Sequence, residues 1–506
     1  MEVQILIIVV YSLLLIVIGF IANKKTKTMD DFVLGGRKIG AWMSALSYGT
    51  TYFSAVIFVG YAGRFGWSVG VAVTWIGIAN AIIGTWLAWK LLAKPTRRIT
   101  QRLNSATMPD FFFKRYNSQG LKITAAIIIF VFLVPYCASV YQGIGYFSET
   151  VLKIPYEYCM IGMAVLTAIY LIAGGYIATA LTNFVQAIVM AVGVILMVLF
   201  IIGAPQVGGL SEGLSRIAAI PGEGASLASP FGSPDTLVIL ISLTILTSLG
   251  TWGLPQMVHK FYAIKDKRAI TRGTVISTVF AFLVGGIAYF IGGFGRLFLT
   301  EAPADLDMVM PQVLGLALPP VLLGLILVLL LAASMSTLSS LVLVSSTAIS
   351  LDLAKGVMRP KMKDKNVMSL TRALCALFVL VSVFIALFKP AAIVTLMSYS
   401  WGAISGCFLA PFLLGVRWKG MTKAGAWAGI VTGLAVSIPL MILNILKILP
   451  GWMSAPTIGS MAMLLSLIVT PVVSIMSKKF DNAHINRVFG NGDDDAQAPV
   501  ESAETI

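Results

Sequence analysis

The feature that most constrains this chain is a recurring series of apolar segments with almost no charges. Each is about 20 residues long, the length that an α-helix needs to cross the hydrocarbon layer of a membrane. The chain has 506 residues, of which 58% are hydrophobic and only 11% charged, a composition typical of integral membrane proteins. We predict an all-α polytopic membrane protein with about 13 transmembrane helices. Their approximate bounds are 3–22, 41–63, 67–92, 121–151, 157–173, 177–202, 236–258, 272–298, 314–350, 370–388, 391–415, 424–448 and 454–476.

The loops between these segments alternate in charge. Basic residues are concentrated at 24–38, 94–122, 260–272, 355–372, 417–423 and 478–479, whereas 203–235 and 299–313 are slightly acidic. Because basic loops stay in the cytoplasm, we expect the N-terminus outside and the C-terminus inside the plasma (inner) membrane. The net charge of +15 is accounted for by these loops, so we predict no nucleic-acid partner. We expect the chain to work as a monomer.

Two of the predicted helices contain unusual interruptions. The second has glycines and clustered hydroxyls between Ser47 and Gly63, and the seventh has several Thr, Ser and Gly residues before Pro255. Proline removes a backbone donor, so the seventh helix should break there. Interrupted helices in corresponding positions of two halves indicate a transporter binding site, although close helix contacts through small residues are an equal alternative for the second.

These interruptions predict the domain organisation. Each opens a stretch of five spans, and because five is odd, the second stretch is inverted relative to the first. The predicted units are a first helix and cytoplasmic link (1–40), a first repeat (41–202), an extracellular loop (203–235), a second repeat (236–415), two C-terminal helices (416–479) and a disordered cytoplasmic tail (480–506).

The ninth helix carries a polar stripe at membrane depth. Ala333, Ser336, Thr337 and Ser340 fall at i, i+3, i+4 and i+7, on one helix face. Hydroxyls are a poor surface towards lipid, but they suit a face turned towards a sodium ion. The fourth helix carries Gln142 on a polar face of its own. The amide of Gln142 could hydrogen-bond a solute or, equally, a neighbouring helix.

The spans contain almost no ionisable residues. No pair of side chains suits general acid–base catalysis, and no phosphate-binding loop of an ATP-driven pump is present. We therefore predict that the protein is not an enzyme, and that an ion gradient supplies the energy for its function.

At its motifs, the sequence resembles the sodium/solute symporter family, which includes bacterial proline and pantothenate carriers. The resemblance extends from Asp31 to Gly433. It is carried by Asp31–Arg37, Thr107–Asp110, Gly174–Ala178, Thr182–Gln186, Gly253–Gln256, Met335–Ser339 and Pro411–Arg417. It implies the leucine-transporter-like architecture, with a 5+5 inverted repeat and alternating access.

The resemblance also implies a ligand set for the coupling ion, Na⁺. The ligands would be the carbonyl oxygens of Thr50, Phe53 and Ala333 and the hydroxyls of Ser336 and Thr337. Five neutral oxygens suit a monovalent cation, whereas a divalent ion favours carboxylates.

Two departures from the family pattern concern stoichiometry and solute. A possible second cation would use Asn183, Ser339 and Ser340, but the family usually has aspartate where this chain has Asn183. One sodium ion per cycle is therefore our prediction. The residues that we expect to contact the solute are Tyr52, Val56, Tyr136, Gln142, Thr247 and Thr251.

These solute positions do not favour proline. At positions matching the aromatic and acidic residues of proline carriers, the chain has Thr247, Thr251 and Tyr52, and only Tyr136 keeps the proline-like pattern. The Thr51–Ser54 pattern resembles the pantothenate and monocarboxylate branches. We predict a sodium-coupled symporter for a small organic solute (an amino acid, pantothenate or another monocarboxylate). The alternative is a sodium-independent uniporter or channel-like facilitator; a sensor would need a larger appended module.

Overall fold

The computed structural model describes residues 2–25 and 28–490, with side chains described except at 2–5, 23–25, 170–174 and 235. Within this part of the chain the regular structure is helical, and the β-structure consists of one isolated bridge between Ile39 and Ile264. Ten helices among the described residues are long and apolar enough to cross a membrane by length and composition. The protein is a multi-pass membrane protein.

The helices fall within or overlap the thirteen predicted spans, although several boundaries differ. The first six spans comprise Glu2–Lys25, then Ala41–Tyr52 with Val56–Tyr61 and Ala62–Val69, then Thr74–Ala81 through Lys94–Arg102, then Gln119–Phe147, and the two parts of Tyr156–Gly203. The other seven comprise Pro234–Thr244 with Pro255–Tyr262, then Lys267–Ala281 with Ile287–Gly292, then Pro320–Thr347, Asp364–Leu387, Ile393–Arg417, Lys423–Ile445 and Ala455–Met476.

Two glycines with positive φ separate neighbouring spans that run on without a long loop. Gly70 (φ 74°) forms the turn between the second and third spans. Gly175 (φ 55°) divides Tyr156–Gly203 into the fifth and sixth spans. Left-handed backbone of this kind is adopted at little cost only by glycine, so both turns depend on that residue type.

Both interrupted spans are broken where the sequence predicted. The second span leaves the helix at Phe53 (φ −104°, ψ 112°) and resumes at Val56. The seventh leaves it at Gly253 and Leu254, and Pro255 is the first residue of the helix that follows. A proline is tolerated there because the first amides of a helix have no partner within it.

The backbone pairing at Ile39 shows that these two spans run in opposite directions. Ile39 directly precedes the second span, and its amide donates to Ala263, just after the seventh span, while Lys265 N donates back to Ile39 O. The start of one broken span and the end of the other therefore lie on the same side of the bundle. This is the relation that an inverted repeat requires.

The ninth span lies at the centre of the bundle. It packs against the first, second, fourth, sixth and tenth spans. In its most apolar stretch, 83% of the residues are buried within the protein. A helix so enclosed meets little lipid, which explains how it can carry hydroxyl side chains at membrane depth.

Several predicted boundaries were wrong. The ninth span begins at Pro320 rather than near 314, because a separate helix, Val309–Ala317, ends at the extended residue Leu318. The consecutive prolines Pro319 and Pro320 force this break, since a residue before proline disfavours helical backbone. The 203–235 loop also contains two short helices, Leu210–Ala218 and Gly224–Ala228.

The predicted disorder from residue 480 was also wrong at its start. Asn482–Phe489 is a helix capped by Asp481, whose side chain accepts from the His484 amide. Arg98 donates to Phe489 O (2.7 Å), and the His484 ring lies 2.8 Å from Arg115 O, which fixes this helix against the basic loops. The rest of the tail, 491–506, lies outside the described residues.

Candidate functional site

The break in the second span lies against the hydroxyl face of the ninth span. The Ser336 hydroxyl is 2.8 Å from the Thr50 carbonyl oxygen and 2.8 Å from that of Ala333. The Thr337 hydroxyl is 3.1 Å from Ala333 O and 3.4 Å from Thr50 O. Ser336 and Thr337 are fully buried. The structure therefore brings four of the five predicted sodium ligands together as one group of neutral oxygens.

Phe53, the fifth predicted ligand, lies at the break itself. In a continuous helix its carbonyl would accept from the Ile57 amide, but that amide donates to Ser54 O instead (3.1 Å). The freed amide of Ala55 donates to the Ser334 hydroxyl of the ninth span (3.2 Å). The ninth span thus satisfies the Ala55 amide of the broken helix through the Ser334 hydroxyl. The Phe53 carbonyl does not accept from the Ile57 amide, its partner in a continuous helix.

The group has the chemistry of a site for a weakly held monovalent cation. Each hydroxyl carries one hydrogen, so Ser336 and Thr337 can donate to only part of the carbonyl lone pairs around them. Both hydroxyls can turn their own lone pairs towards a cation, at the same point where the Thr50 and Ala333 carbonyls converge. The donor set contains no carboxylate, which fits Na⁺ better than a divalent ion.

The three residues predicted for a second cation have other partners. Asn183 donates to the Ser47 hydroxyl (2.8 Å), and the Ser339 hydroxyl donates to Ser336 O (3.0 Å). Ser340 lies 3.0 Å from the Thr51 hydroxyl and accepts a hydrogen bond from the Lys260 ammonium, also at 3.0 Å. The structure does not bring Asn183 into hydrogen-bond contact with either serine.

Lys260 was not anticipated at this place. Its position at the end of an apolar segment assigns it to the basic loop 260–272, but the residue is only 1% exposed. It lies on the short helix that follows the break of the seventh span, with its ammonium 5.3 Å from the centre of the Tyr176 ring.

A small closed cavity lies beside the broken second span. Its volume is about 10 Å³, the room of roughly one water molecule. It is lined by Tyr52, Ser54, Val56, Ile57, Tyr61, Asn80, Thr247, Tyr289, Met397 and Trp401. None of these side chains is charged, and four are aromatic. An organic solute fits only after the cavity widens, so this is a closed conformation of the candidate solute site.

Three of the six predicted solute contacts line this cavity: Tyr52, Val56 and Thr247. Tyr136 stands next to it, edge-on to Trp401 with ring centres 5.6 Å apart. Thr251 donates within the helix packing to Gly84 O (3.1 Å) and Ser248 O (2.9 Å) instead of facing the cavity.

Gln142 is fully buried, and neither polar atom of its amide has a hydrogen-bond partner. The next residue, Gly143, packs against Ala55 at the break of the second span. A buried amide without partners is costly, at about 1–3 kcal/mol. Such a group is expected where a ligand or water completes the hydrogen bonds.

Asn80 and Trp401 are the cavity residues that our sequence reasoning most clearly missed. The Asn80 side-chain oxygen accepts from Thr247 (2.8 Å) and Ser248 (2.9 Å), which links the third span to the broken seventh span. Trp401 lies near Tyr52 and Tyr136. A lone amide in the middle of an apolar span was the available signal for Asn80, because such residues usually face the bundle interior.

An ionic cluster lies on the side of the acidic loop 299–313. Arg64, in the last helical segment of the second span (Ala62–Val69), pairs with Asp305 (3.2 Å) and Asp307 (3.1 Å). The buried Asp307 carboxylate also accepts from the Ile393 amide at the start of the eleventh span (2.9 Å). Burial raises the pKa of the Asp307 carboxyl above its usual range, and Arg64 opposes that shift.

A second ionic cluster lies on the side of the basic loops. Lys122 lies 3.2 Å from Asp110 and 3.6 Å from Asp352. Thr107 donates to Asp352 at 2.9 Å. This cluster joins the helix Met108–Tyr116 to the fourth span and to the segment Ala348–Met358 that follows the ninth span, so salt bridges are present at both ends of the bundle.

Comparison with known proteins connects this geometry to a family. The family model described as "Sodium:solute symporter family" matches residues 32–433. Sodium/proline symporters from Salmonella typhimurium (31% identical over 490 residues) and Escherichia coli strain K12 (31% over 488) each align with 94% of this chain and 95% of their own length. The osmoregulated proline transporter OpuE of Bacillus subtilis is 29% identical over 496 residues, covering 95% of this chain and 96% of the relative.

A solved structure supports the architecture. A Na⁺-coupled sialic acid symporter in a substrate-bound, outward-open state superposes with a TM-score of 0.73 over 94% of this chain and 98% of that one, at 15% identity. At this identity the likeness concerns the fold. The predicted all-α fold with a leucine-transporter-like 5+5 inverted repeat is confirmed.

Proposed function

Because the chain belongs to the sodium:solute symporter family, we propose that it uses the sodium gradient to import a small carboxylate-bearing solute, with proline as the first candidate. It is a sodium-coupled transporter and not an enzyme. One observation carries the proposal. The converging oxygens of Thr50, Ala333, Ser336 and Thr337 lie at the break of the span that also lines the closed cavity.

The sodium ion would bind between the second and ninth spans. Its ligands would be the carbonyls of Thr50, Phe53 and Ala333 and the two hydroxyls of Ser336 and Thr337. These ligands come from two elements that can separate, so an ion bound between them would stabilise the arrangement in which they are together. Binding of sodium would thus bias the bundle towards one conformation, which is how a ligand shifts a conformational equilibrium.

Proline is the first candidate because the curated relatives named above are proline carriers. The cavity supports a solute of this size, since its aromatic walls at Tyr52, Tyr61 and Trp401 suit a compact apolar ring. Gln142 would supply hydrogen bonds to a polar group of the solute, because its amide is buried and without partners. The hydroxyls at Thr247 and Thr251 differ from the pattern of proline carriers, so pantothenate and short monocarboxylates are the competing solutes in any test.

Alternating access would open the two ionic clusters in turn. The Arg64–Asp307 cluster would close the bundle from outside, and the Lys122–Asp352 cluster from the cytoplasm. This assignment follows the charges of the loops, which favour an outward N-terminus and a cytoplasmic C-terminus.

A two-stage experiment tests the proposal. Purified protein is first screened for thermal stabilisation by sodium with proline, pantothenate, lactate or pyruvate, because a ligand that binds only the folded state raises stability. Proteoliposomes then report uptake of the stabilising solute with an inward sodium gradient and with potassium in its place. Accumulation above the external concentration only with sodium supports the proposal. Equal entry of the solute with sodium or potassium would instead support a sodium-independent uniporter or channel-like facilitator.

A further inference from the structure

Lys260 is a buried cation next to the candidate sodium site. Its side chain is 1% exposed, and among the described residues the structure records no salt bridge between its ammonium and a carboxylate. Its contacts are the Ser340 hydroxyl at 3.0 Å and the face of the Tyr176 ring. A buried charge without a counter-charge is expensive, so such a lysine is expected to have a role beyond packing.

The hydrogen bonds of Ser340 define where this charge is held. The Ser340 hydroxyl donates to Ser336 O (3.0 Å), and it lies within hydrogen-bond distance of both Lys260 and Thr51. A hydroxyl has one hydrogen and two lone pairs, so it can accept from both while donating to the carbonyl. The ammonium thereby occupies an oxygen-rich position one helical turn from Ser336.

This position adjoins the residues predicted for a second cation. Ser340 belongs to that set, and Asn183 contacts Ser47, which lies one turn before Thr51 on the same helix. Asn183 Oδ1 is buried without a partner. One of the oxygens that a second sodium would use, the Ser340 hydroxyl, is thus already bonded to a positive charge fixed to the chain.

We propose that the Lys260 ammonium, held by Ser340 beside Thr51 and Tyr176, is a tethered cation that occupies the place of a second sodium and limits coupling to one sodium per cycle. This rests on the proposed function, since it specifies the stoichiometry of the same transporter. Two positive charges within hydrogen-bond range of one hydroxyl repel each other strongly in a buried site. The Lys260 ammonium therefore keeps a second sodium ion from binding here, and only one sodium ion crosses the membrane in each cycle.

The test counts sodium ions bound to purified protein, using equilibrium binding of ²²Na⁺, which needs no solute. The wild type is expected to bind one ion per chain. Asn183→Asp should also bind one, because the Lys260 ammonium still occupies the place at Ser340. Asn183→Asp combined with Lys260→Met should bind two, since the charge that excluded the second ion is gone and a carboxylate is available.

Two controls separate charge from packing. Lys260→Arg keeps the charge and should leave the count at one in the Asn183→Asp background. Lys265→Met removes an exposed lysine of the same loop and should change nothing. A cooperative thermal unfolding transition in the absence of sodium verifies that each variant is folded.

The possible failures are distinguishable. A count of two in the wild type or in Asn183→Asp alone would overturn the inference, as would a count of one in the folded double variant. A count of two in the wild type would overturn the inference even where a variant does not fold. Absence of saturable sodium binding in the wild type would overturn the proposed function itself.

Discussion

Removing the Ser336 hydroxyl tests the sodium site most sharply. Ser336→Ala deletes one of five proposed oxygen ligands but keeps the helix, since alanine is the best helix former. A hydrogen bond or ligand contact to a charged group is worth about 1.5–3 kcal/mol. With about 1.4 kcal/mol per factor of ten, the sodium concentration for half-maximal transport should rise by roughly 10- to 150-fold.

The fold should survive this change. Thr337 remains within 3.4 Å of both Thr50 O and Ala333 O, so its hydroxyl can still donate to a carbonyl that Ser336 served. Loss of one neutral hydrogen bond costs about 0.5–1.5 kcal/mol of stability. The variant should therefore be folded without sodium and respond weakly when sodium is added.

Sodium titration of thermal stability measures the effect without transport. At a sodium concentration 100 times Kd, binding stabilises the protein by about 2.7 kcal/mol. After a 100-fold loss of affinity, the same concentration contributes only about 0.4 kcal/mol. Ser345→Ala is the matched control, because Ser345 is a fully buried serine of the same helix whose hydroxyl has no hydrogen-bond partner.

The reasoning would be refuted by a clear pattern. If Ser336→Ala and Thr337→Ala both retain the sodium activation of the wild type, the site assignment between the second and ninth spans is wrong. If Ser345→Ala loses as much sodium activation as Ser336→Ala, the loss would come from any cavity made in this helix and not from a missing sodium ligand.

Two further predictions concern the solute and the closed end of the bundle. Gln142→Met removes an unsatisfied buried amide, so we expect a higher melting temperature together with a solute KM raised by about 2- to 13-fold, from a hydrogen bond worth about 0.5–1.5 kcal/mol. A lower melting temperature would mean that Gln142 is satisfied within the protein. Asp307→Asn weakens the pairing with Arg64, so Met397→Cys, in a chain whose native cysteines are replaced, should react faster with an external maleimide. Unchanged reactivity would show that this cluster does not close the cavity.

The sequence predicted those parts of the structure that depend on local pattern. Apolar length defined the spans, and helical periodicity placed Ser336 and Thr337 on one face before any partner for that face was known. Pro255 predicted the break of the seventh span, since proline acts on its own turn. Pro319 and Pro320 act in the same way at the start of the ninth span, so the predicted start near 314 is too early.

The parts that were missed depend on contacts between distant elements. Lys260 looked like the first residue of a basic loop, and only the packing of the seventh span against Ser340 and Tyr176 shows that it is buried. Asn80 and Trp401 come from the third and eleventh spans, and no local pattern places them in one cavity. Hydropathy identifies which segments enter the membrane, but it does not identify which side chains meet there.

The central claim is that solute and sodium cross the membrane together. The most direct measurement is ²²Na⁺ entry into proteoliposomes, with equal sodium on both sides, when the stabilising solute is added outside. The account predicts that the solute accelerates ²²Na⁺ entry, with one sodium entering for each solute molecule, and that Ser336→Ala reduces both fluxes at low sodium. Entry of the solute without any added ²²Na⁺ flux would contradict it.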